Sequence, residues 1–520
     1  MAKSIDTQPK ESFLQEWGVL LVMGLASFIL VLDTSMMNVA ISAIVEDLGT
    51  TVSGVQAAIT IYALVMASFM LLGGKLGDIY GMKKTFIVGM IFYGIGTITA
   101  ALTPNLAILI LGWSVIEGIG AAFVLPMTIT MLALKYSGKQ LAMAFGVVAG
   151  VQAAGAAIGP IFGGFMTSFY SWRLAFASEA IIVIIIFALL FVLPESEKME
   201  GVKVDWLGAA FSALGLAVIV LGIILSSQYG WVMAKRPFTI GTITINPFGL
   251  SITPVLIALG FGLLLIFLHW EQRLEKAGKM PLLHVGMLKN GLLMAGVIVG
   301  GILNIILGGI MFTTPLFLQS ALDYDAMASG MALLPMSIGI FVFSLTTTGL
   351  GRKFSPKYVI MAGLGFVAFG LVLLFRTISP GMSSSDMIVG FFIFGMGIGL
   401  ILGQLTGVTL ASVPAEENNE ASGVNFTFRQ LGISMGTAVI GAILLTTVSL
   451  SLVSGLLDTV GIDVSRSEVR QISVVMEDAV QSMTTVEKQA ALDSLSPETV
   501  SQLNQISLTS WVRGNKMALI

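Results

Sequence analysis

Three acidic residues stand inside long apolar stretches of the chain, where an uncompensated charge is costly. Asp33 is the only charged residue between Trp17 and Ile41, and Glu117 and Glu179 lie in two further apolar stretches. On insertion scales a carboxylate at the centre of a membrane helix costs about 2.5–3.5 kcal/mol, so such residues usually face a cavity and bind ions or protons. These residues predict reversible binding of a proton or another cation.

Two of these carboxylates also have structural interpretations that the sequence leaves open. Asp33 could be held by its helix neighbours Thr34, Ser35 or Asn38, with no role in transport. Glu117 could bond a neighbouring helix and serve packing only. Burial of any of these groups requires a partner or a proton, so both interpretations remain physically sound.

The third carboxylate follows a pair of residues typical of a membrane interface. Trp172 and Arg173 open the stretch 173–193, and Trp and Arg commonly anchor helix ends at the headgroup level. Glu179 then lies deeper in the span. It could add to a cation-attracting cavity or pair with Arg173, although their spacing is poor for two residues on one helix face.

The elements that hold these residues follow from the composition. The chain has 520 residues, 56% hydrophobic and 11% charged, and its mean hydropathy is +0.95. Soluble proteins carry about 25% charged residues, so we expect a polytopic membrane protein.

The net charge of -3, without a basic block, argues against a nucleic-acid partner. With no cysteine and two peripheral histidines, we expect no cofactor, no metal and no enzymatic activity.

Long apolar runs predict the membrane spans. A bilayer core of about 30 Å needs about 20 apolar residues in a helix. The polar segment 457–508 is predicted to be an external loop with short amphipathic helices, and residues 509–520 to begin a fourteenth span that is cut short. Thirteen full candidates precede it: 17–41, 54–73, 85–102, 106–133, 141–167, 173–193, 205–227, 249–270, 291–320, 327–350, 358–376, 386–412 and 424–456.

Lysine and arginine set the expected orientation, because cytoplasmic loops carry an excess of them. Most of the basic residues fall on alternate loops, such as 75–84, 135–139, 273–289 and 352–357, and these face the cytoplasm if the N-terminus does. The loop "GGKLGDIYGMKKTF" after the second span and "GLGRKFSPKYVI" after the tenth look like degenerate copies. Two such halves suit a transporter with a site at the repeat interface, although cytoplasmic turns need Gly and Lys in any case.

Two motifs of the first half carry a resemblance to a known family. "LDTSMMNVAI" (32–41) resembles the first-span signature of the 14-span drug:proton antiporters of the major facilitator superfamily, with Ser42 in place of the usual proline. "GGKLGDIYGMKK" is similar to the superfamily's loop motif between spans two and three, with Ile79 in place of its first arginine. The motif residues here are Gly74, Asp78, Gly81, Lys83 and Lys84.

That loop can be interpreted from its charges alone. Asp78 lies beside a helix end and several cations, so it can make contacts across the half-domain interface that hold one conformation and break in another. The alternative is a solvated turn whose lysines, Lys83 and Lys84, only set topology. We expect Asp78 to have a conformational role and these lysines to be mostly topological.

The fifth span, "GVVAGVQAAGAAIGPIFGGF", carries the most specific pattern. Glycines recur every four residues on one face, which permits close contact with another helix, and Pro160 should kink the helix. The whole spacing matches the antiporter motif of the superfamily. Its residues here are Gly146, Gly155, Gly159, Pro160, Gly163 and Gly164.

The fourth span departs from the family pattern. Gly118 and Gly120 match, but Ser114 stands where the family has an arginine tied to proton coupling. We therefore expect Glu117 to take part in coupling instead.

In the second half, Arg429 matches a family arginine near the start of span thirteen, where snorkelling is a sufficient explanation. Gln404 is a candidate for substrate contact or for an ordinary interhelical bond.

The resemblance implies an all-α integral membrane fold with two six-helix bundles and two extra spans between them. The expected domains are a cytoplasmic N-terminus (1–16), an N-terminal bundle (17–194), the two extra spans (195–285) and a C-terminal bundle (286–520) that includes the loop 457–508. The implied activity is proton-coupled efflux of lipophilic, often cationic compounds through the cell membrane. Its implied partners are a small lipophilic substrate, protons and membrane lipid, with the chain as a monomer.

Two rivals share this fold. A transporter of a nutrient or an anion would need a strongly basic cavity, for which Arg429 is the only deep candidate. A sensor that does not transport could use the external segment 457–508 as a binding module, although its length does not demand one.

Overall fold

The long helices coincide with the predicted spans. In the computed structural model the described residues are 13–195, 204–234, 237–240, 243–245, 249–350, 353–414, 417–462, 464–465, 468–473, 476 and 496–520. Most of the predicted N-terminal segment 1–16 lies outside these residues, as do Lys235, Arg236 and Arg352. Because no water reaches the bilayer core, each span satisfies its backbone groups within its own helix.

The described part of the first bundle and of the extra spans contains ten α-helices and one short hairpin. The strands β1 (Phe238–Ile240) and β2 (Ile243–Ile245) are antiparallel, with Phe238 opposite Ile245. Residues Ile110–Glu117 form a π-helix between two of the α-helices. The α-helices are α1 (Phe13–Val39), α2 (Ile41–Asp47), α3 (Val52–Tyr80), α4 (Met82–Ala101), α5 (Leu106–Leu109), α6 (Gly118–Lys135), α7 (Gly138–Phe169), α8 (Trp172–Ala188), α9 (Trp206–Tyr229) and α10 (Ile252–Lys276).

The second bundle follows a short connecting segment. Residues Val285–Lys289 and Ser384–Met387 form 3-10 turns. The helices described here are α11 (Gly291–Leu322), α12 (Ala326–Leu350), α13 (Pro356–Thr377), α14 (Ile388–Leu410), α15 (Asn418–Val460) and α16 (Pro497–Leu519).

Twelve helical segments of the described chain are long and apolar enough to cross a membrane. The remaining one of the thirteen predicted spans is the sixth, 173–193, which corresponds to α8; this helix has 17 residues and ends before a 3-10 turn at Leu190–Val192. The predicted all-α membrane fold is therefore confirmed.

The predicted limits of the external segment 457–508 need correction. Helix α15 continues to Val460 and α16 begins at Pro497, so residues 497–508 are helical. Ser496 caps α16 by accepting a hydrogen bond from Thr499 N, and Pro497 occupies its first turn. Such a start is favoured because Pro lacks the N–H that the first turn cannot satisfy. Helix α16 packs on α15, where Gly514 meets Val448 and Leu444.

The two bundles have separate apolar cores and meet along two seams. One core lies mainly among α1, α3, α4, α6 and α8, and the other among α11 to α14. Helix α3 packs against α15 at one seam, and α7 packs against α12 at the other. Contacts lie near both ends of the α7–α12 seam: a Cβ at Gly164 would be 2.5 Å from the Ala326 carbonyl oxygen, and a Cβ at Gly150 would be 3.0 Å from Leu345.

The two extra spans form a helical hairpin against the α3–α15 seam. Close approach of α9 and α10 depends on glycine, because a Cβ at Gly260 would lie 2.6 Å from the Gly215 carbonyl oxygen. Helix α9 packs through Leu216 and Val220 on Leu64 of α3. Its Ile219 and Ile223 pack on Ala438 of α15. The hairpin thus contacts both bundles at once.

Candidate functional site

The three buried carboxylates come together inside the first bundle. Asp33 lies on α1, Glu117 at the end of the π-helix and Glu179 on α8, and each is 0% exposed. One carboxylate oxygen from each residue lies within 4.8 Å of the other two. The sequence predicted these residues separately, and the structure adds that they form one group, called the carboxylate cluster below.

Hydrogen bonds reach two of the three carboxylates. Trp113 Nε1 donates to both Oδ1 and Oδ2 of Asp33, each at 3.0 Å. The Tyr93 hydroxyl and Thr97 Oγ1 donate to Glu179 Oε2 at 3.0 and 3.3 Å. Both oxygens of Glu117 and Oε1 of Glu179 have no hydrogen-bond partner in the described part of the chain. Buried polar atoms normally have partners, so these three oxygens are candidates for binding an ion or a proton.

Aromatic rings pack around Trp113, which bonds Asp33 of the cluster. The Tyr62 ring stacks on Trp113, with centroids 4.8 Å apart and an interplanar angle of 9°. Phe176 meets Trp113 edge-on at 6.3 Å. All three rings are buried. Because the carboxylates themselves are 0% exposed, the cluster suits a small ion, whereas a large organic molecule would have to displace the core.

The π-helix explains how Trp113 and Glu117 both reach this place. Such segments are rare and occur mostly as short bulges, frequently at functional sites. Helix α4 comes so close that a Cβ at Gly96 would overlap Glu117, and the Ser114 hydroxyl donates to the Ala58 carbonyl oxygen at 2.8 Å. Ser114, which stands where the family pattern has arginine, therefore anchors this segment to α3.

The alternative in which Thr34, Ser35 or Asn38 holds the Asp33 carboxylate is wrong. Thr34 and Ser35 donate their hydroxyls to backbone carbonyls of their own helix, and Asn38 Nδ2 donates to the Thr34 carbonyl oxygen at 2.7 Å. Asp33 instead accepts from Trp113, which lies far away in the sequence. Asn38 keeps one buried oxygen, Oδ1, without a partner in the described chain.

Arg173 does not pair with Glu179. Its guanidinium forms an ion pair with Asp47 and donates to the Thr103 carbonyl oxygen at 2.8 Å. Trp172 Nε1 donates to the same Asp47 carboxylate at 3.0 Å. The shared acceptor on Asp47 explains why Trp172 and Arg173 stay at the edge of the bundle, away from the cluster.

The glycine face of α7 packs against the part of α1 that carries Asp33. A Cβ at Gly155 would lie 3.0 Å from the Phe28 carbonyl oxygen, and one at Gly163 would lie 2.5 Å from Met36 Cβ. At Gly159 it would overlap Ser35 and lie 3.1 Å from the Leu32 carbonyl oxygen.

The rest of the fifth-span motif meets the second bundle or open space. Gly164 faces α12, and the Pro160 carbonyl lies against Gly330 of that helix. Helix α7 is continuous through Pro160. A Cβ at Gly146 would meet nothing within 4 Å. The motif helix therefore stands between the Asp33 segment of α1 and the opposite bundle.

Alanine substitutions at two glycines of this motif should have opposite effects on stability. Gly159→Ala inserts a methyl group into the α1 contact, and such overpacking costs about 1–3 kcal/mol. Gly146→Ala enters open space and should raise stability slightly, because Ala favours a helix over Gly by about 0.5–1 kcal/mol. Thermal unfolding of the purified variants measures the difference, and equal transition temperatures would contradict the packing described here.

The structure places the residues of the predicted latch in different surroundings, and the conformational role of Asp78 stays a prediction. Lys83 pairs with Glu195 of its own bundle at 3.2 Å, and Lys84 is exposed. Gly81 ends α3 with a positive φ of 98°, which favours glycine. Asp78 lines a small recess between the bundles.

An ion pair in that recess joins the two bundles. Lys75 Nζ lies 3.2 Å from Glu420 Oε1, and these side chains are 3% and 10% exposed. Glu420 Oε2 accepts from His284 N at 3.0 Å and lies 2.7 Å from His284 Nδ1. Gly74 and Asp78 line the same recess. We call Lys75, Glu420 and His284 the inter-bundle network.

Another buried carboxylate, outside the carboxylate cluster, holds the residues before His284. Glu271 on α10 is 0% exposed, and its Oε2 accepts from Leu282 N at 2.7 Å and Leu283 N at 3.3 Å. The connecting segment is thus tied both to the extra spans and to α15.

Comparison with known proteins decides the family. The sequence profile of the Major Facilitator Superfamily matches residues 23–437. The chain belongs to this superfamily. This confirms the resemblance found from the motifs, and it makes the protein a membrane transporter rather than an enzyme.

Superfamily members similar to this chain include resistance proteins of bacteria. The probable actinorhodin transporter of Streptomyces coelicolor is 28% identical over 440 residues, covering 83% of this chain and 73% of that protein. The multidrug resistance protein Stp of Mycobacterium tuberculosis is 25% identical over 435 residues, with coverages of 83% and 76%. The puromycin resistance protein pur8 of Streptomyces alboniger is 27% identical over 432 residues, with coverages of 82% and 81%.

Solved structures of transporters share the fold of this Major Facilitator Superfamily protein. A bacterial homologue of the human lysosomal transporter Spinster, in an inward-facing, unoccupied conformation, superposes with a TM-score of 0.59 over 98% of this chain and 96% of that chain. A bacterial homologue of the human peptide transporters PepT1 and PepT2 gives 0.57, with 96% coverage of both chains. Each is 14% identical in sequence, so these likenesses establish the fold alone.

Two further candidates lie in the second bundle of the superfamily fold. Gln404 Nε2 donates to the Thr347 carbonyl oxygen at 2.7 Å, which is an ordinary bond between α14 and α12. The Arg429 guanidinium lies 5.5 Å from the centre of the Phe426 ring. No ion pair of Arg429 occurs in the described part of the chain. Their roles in substrate binding stay predictions.

Proposed function

We propose that this protein exports lipophilic, cationic compounds across the cell membrane in exchange for protons, as a monomer with a cytoplasmic N-terminus. The carboxylate cluster binds the coupling proton. The exported compound binds elsewhere, between the bundles, because the cluster is enclosed by its own core. The two sites communicate through the conformational change of alternating access.

One observation carries the proposed coupling site. Asp33, Glu117 and Glu179 are fully buried and adjacent, and none of their hydrogen bonds or ion pairs within the described chain involves Lys, Arg or His. Like charges at this distance in a low-dielectric interior repel strongly, so the cluster must take up protons or a cation. Release of such ions is a natural consequence of opening the bundle to water.

The relatives support the choice of substrate. Their names assign them to actinorhodin transport, multidrug resistance and puromycin resistance. A protein similar to the tetracenomycin C resistance and export protein of Streptomyces glaucescens is expected to move organic molecules outward. The acidic cluster favours cations over anions among them, because its field attracts positive charge into the first bundle.

The two seams and the helix α7 support the proposed route from coupling to transport. Helix α7 contacts α1 beside Asp33 on one face and α12 of the other bundle on another. A shift of α1 when the cluster gains or loses a proton would therefore reach the seam through one helix. In this proposal the inter-bundle network closes the cytoplasmic side and separates when that side opens.

Substrate-induced proton release tests the proposal. Ethidium added to purified wild-type protein in a weakly buffered solution should release protons, which a pH electrode or a pH-sensitive dye detects. Chloramphenicol, a neutral compound, serves as the comparison for charge. Absence of release with both compounds would contradict antiport, and release with the neutral compound alone would contradict the preference for cations.

A further inference from the structure

We infer that the carboxylate cluster is also a sodium site, at which Na⁺ and protons compete. The inference rests on the proposed function, because it names a second coupling ion for the same three carboxylates. It concerns equilibrium binding, however, and can therefore be tested without transport.

The geometry of the cluster fits a hard metal ion. Three atoms that are no more than 4.8 Å apart lie on or within a circle of radius about 2.8 Å, so a single point is close to all three oxygens. Small side-chain rotations bring that distance to the about 2.3–2.6 Å at which oxygen ligands hold Ca²⁺, and Na⁺ has nearly the same radius. The site therefore needs no rearrangement of the helices to accommodate such an ion.

The unpartnered oxygens supply the second observation. Glu117 is 0% exposed, and neither of its oxygens makes a hydrogen bond of normal geometry within the described chain, although the Tyr93 hydroxyl lies near it; Glu179 Oε1 makes none either. These atoms belong to the carboxylates that converge within the cluster. Trp113 and Tyr93 orient the other two carboxylates from outside, as donors commonly orient the ligands of a metal.

The number of ligands and the burial favour sodium among the hard cations. Ca²⁺ takes about 6–8 oxygen ligands, and Mg²⁺ retains several waters. The cluster offers six carboxylate oxygens in total, three of which already accept hydrogen bonds, in a place closed to bulk water. Na⁺ accepts fewer ligands and carries the charge of one proton. Replacing a proton by Na⁺ thus leaves the net charge of the buried cluster unchanged.

Direct binding of radioactive sodium to the purified protein tests this inference by scintillation proximity. At mildly alkaline pH the wild type should bind sodium saturably, and the apparent affinity should fall by up to about tenfold for each unit of decreasing pH, as expected for competition with one proton. Unlabelled Na⁺ should displace the label better than K⁺ or Ca²⁺ does.

Two variants locate the site. Glu117→Gln should weaken sodium binding by more than about tenfold, since even outer-shell partners of metal ligands are worth about 10–100-fold in affinity. Glu271→Gln is the matched control, because it also changes a fully buried glutamate but lies outside the cluster, and it should bind as the wild type does. Should Glu117→Gln fail to fold, Asp33→Asn tests the same cluster, because asparagine keeps an acceptor for Trp113 Nε1; it too should weaken sodium binding by more than about tenfold.

The outcomes separate this inference from the proposed function. Wild-type protein that binds no sodium, or that binds Ca²⁺ in preference, overturns the sodium site, whereas ethidium-induced proton release can still be observed. Sodium binding that Glu117→Gln leaves unchanged also overturns it, since the ion would then lie elsewhere. Sodium binding at the cluster without any proton release would support the site and contradict proton antiport.

Discussion

Asp33→Asn is expected to abolish the coupling of substrate efflux to the proton gradient. In proteoliposomes loaded with ethidium, an imposed pH gradient should no longer drive ethidium movement. Equilibrium exchange of ethidium, which needs no net proton transfer, should continue. A coupling between two sites typically changes affinity by about 5–150-fold. We expect pH to change the ethidium affinity of the wild type by a factor in this range, and to leave that of Asp33→Asn unchanged.

The reason lies in the surroundings of Asp33. Asparagine has nearly the same shape as a protonated aspartate and keeps an oxygen that can accept from Trp113 Nε1, the present partner at 3.0 Å. It cannot gain or lose a proton. The variant should therefore fold and resemble the protonated state permanently. Its thermal stability should not fall below that of the wild type, because one of three adjacent buried carboxylates has been neutralised.

Glu271→Gln provides the matched control for this experiment as well. It removes a buried carboxylate whose oxygen accepts two backbone N–H groups, and the glutamine oxygen can still accept them. Gradient-driven ethidium movement should persist in this control. If Asp33→Asn retained it too, Asp33 would not be the coupling residue, and Glu117 or Glu179 would have to serve alone.

Reversing the charge of either Lys75 or Glu420 should separate the two bundles at the inter-bundle network. Reversing both charges should bring the bundles together again. Breaking a buried ion pair by changing one partner costs about 3–5 kcal/mol. This is as large as the few kcal/mol that commonly separate two conformations of a protein. Each single variant, Lys75→Glu or Glu420→Lys, should thus populate the open state and lose most of its transport.

Distances between spin labels measure this equilibrium. The chain contains no cysteine, so Lys135→Cys and Tyr358→Cys can be labelled without a background. These exposed residues lie at the end of α6 and near the start of α13, in different bundles. The single charge reversals should add a longer distance, and the double reversal should recover the shorter one with part of the transport activity.

The control uses an ion pair within one bundle. Glu195→Gln removes the partner of Lys83, but that pair is 19% and 73% exposed, and exposed pairs contribute about 0.2–1 kcal/mol or less. The distance distribution should not change. Single reversals at Lys75 and Glu420 that leave the distances as in the wild type would show that the network does not hold the bundles together.

The spans were predictable because each one is a local property of the sequence. A run of about 20 apolar residues can satisfy its backbone in a bilayer only as a helix, so the runs around Asp33 and Gly159 identified α1 and α7. The end of α15 and the start of α16 were harder to predict from the sequence. There the sequence becomes polar, and the helix depends on the cap at Ser496 and on packing between the two helices.

The partners in the site were not predictable, because they come from distant parts of the chain. Trp113 bonds Asp33 across 80 positions, and Lys75 bonds Glu420 across 345. One signal was available for Trp113: an indole N–H within an apolar span usually needs an acceptor, and a carboxylate in another span is a natural one. Lys75 opens the predicted cytoplasmic loop 75–84, whereas in the structure it stands inside the last turns of α3, where Asp78 also lies.

The position of the α9–α10 hairpin makes the lipid-facing outline of the transporter unequal on its two sides. The hairpin lies over the seam between α3 and α15, through Leu216 and Val220 on one side and Ile219 and Ile223 on the other. No described helix outside the two bundles packs over the seam between α7 and α12. A hydrophobic compound that diffuses within one leaflet therefore meets a covered flank and an uncovered one, and its lateral path into the protein is expected along α7, beside the glycine motif.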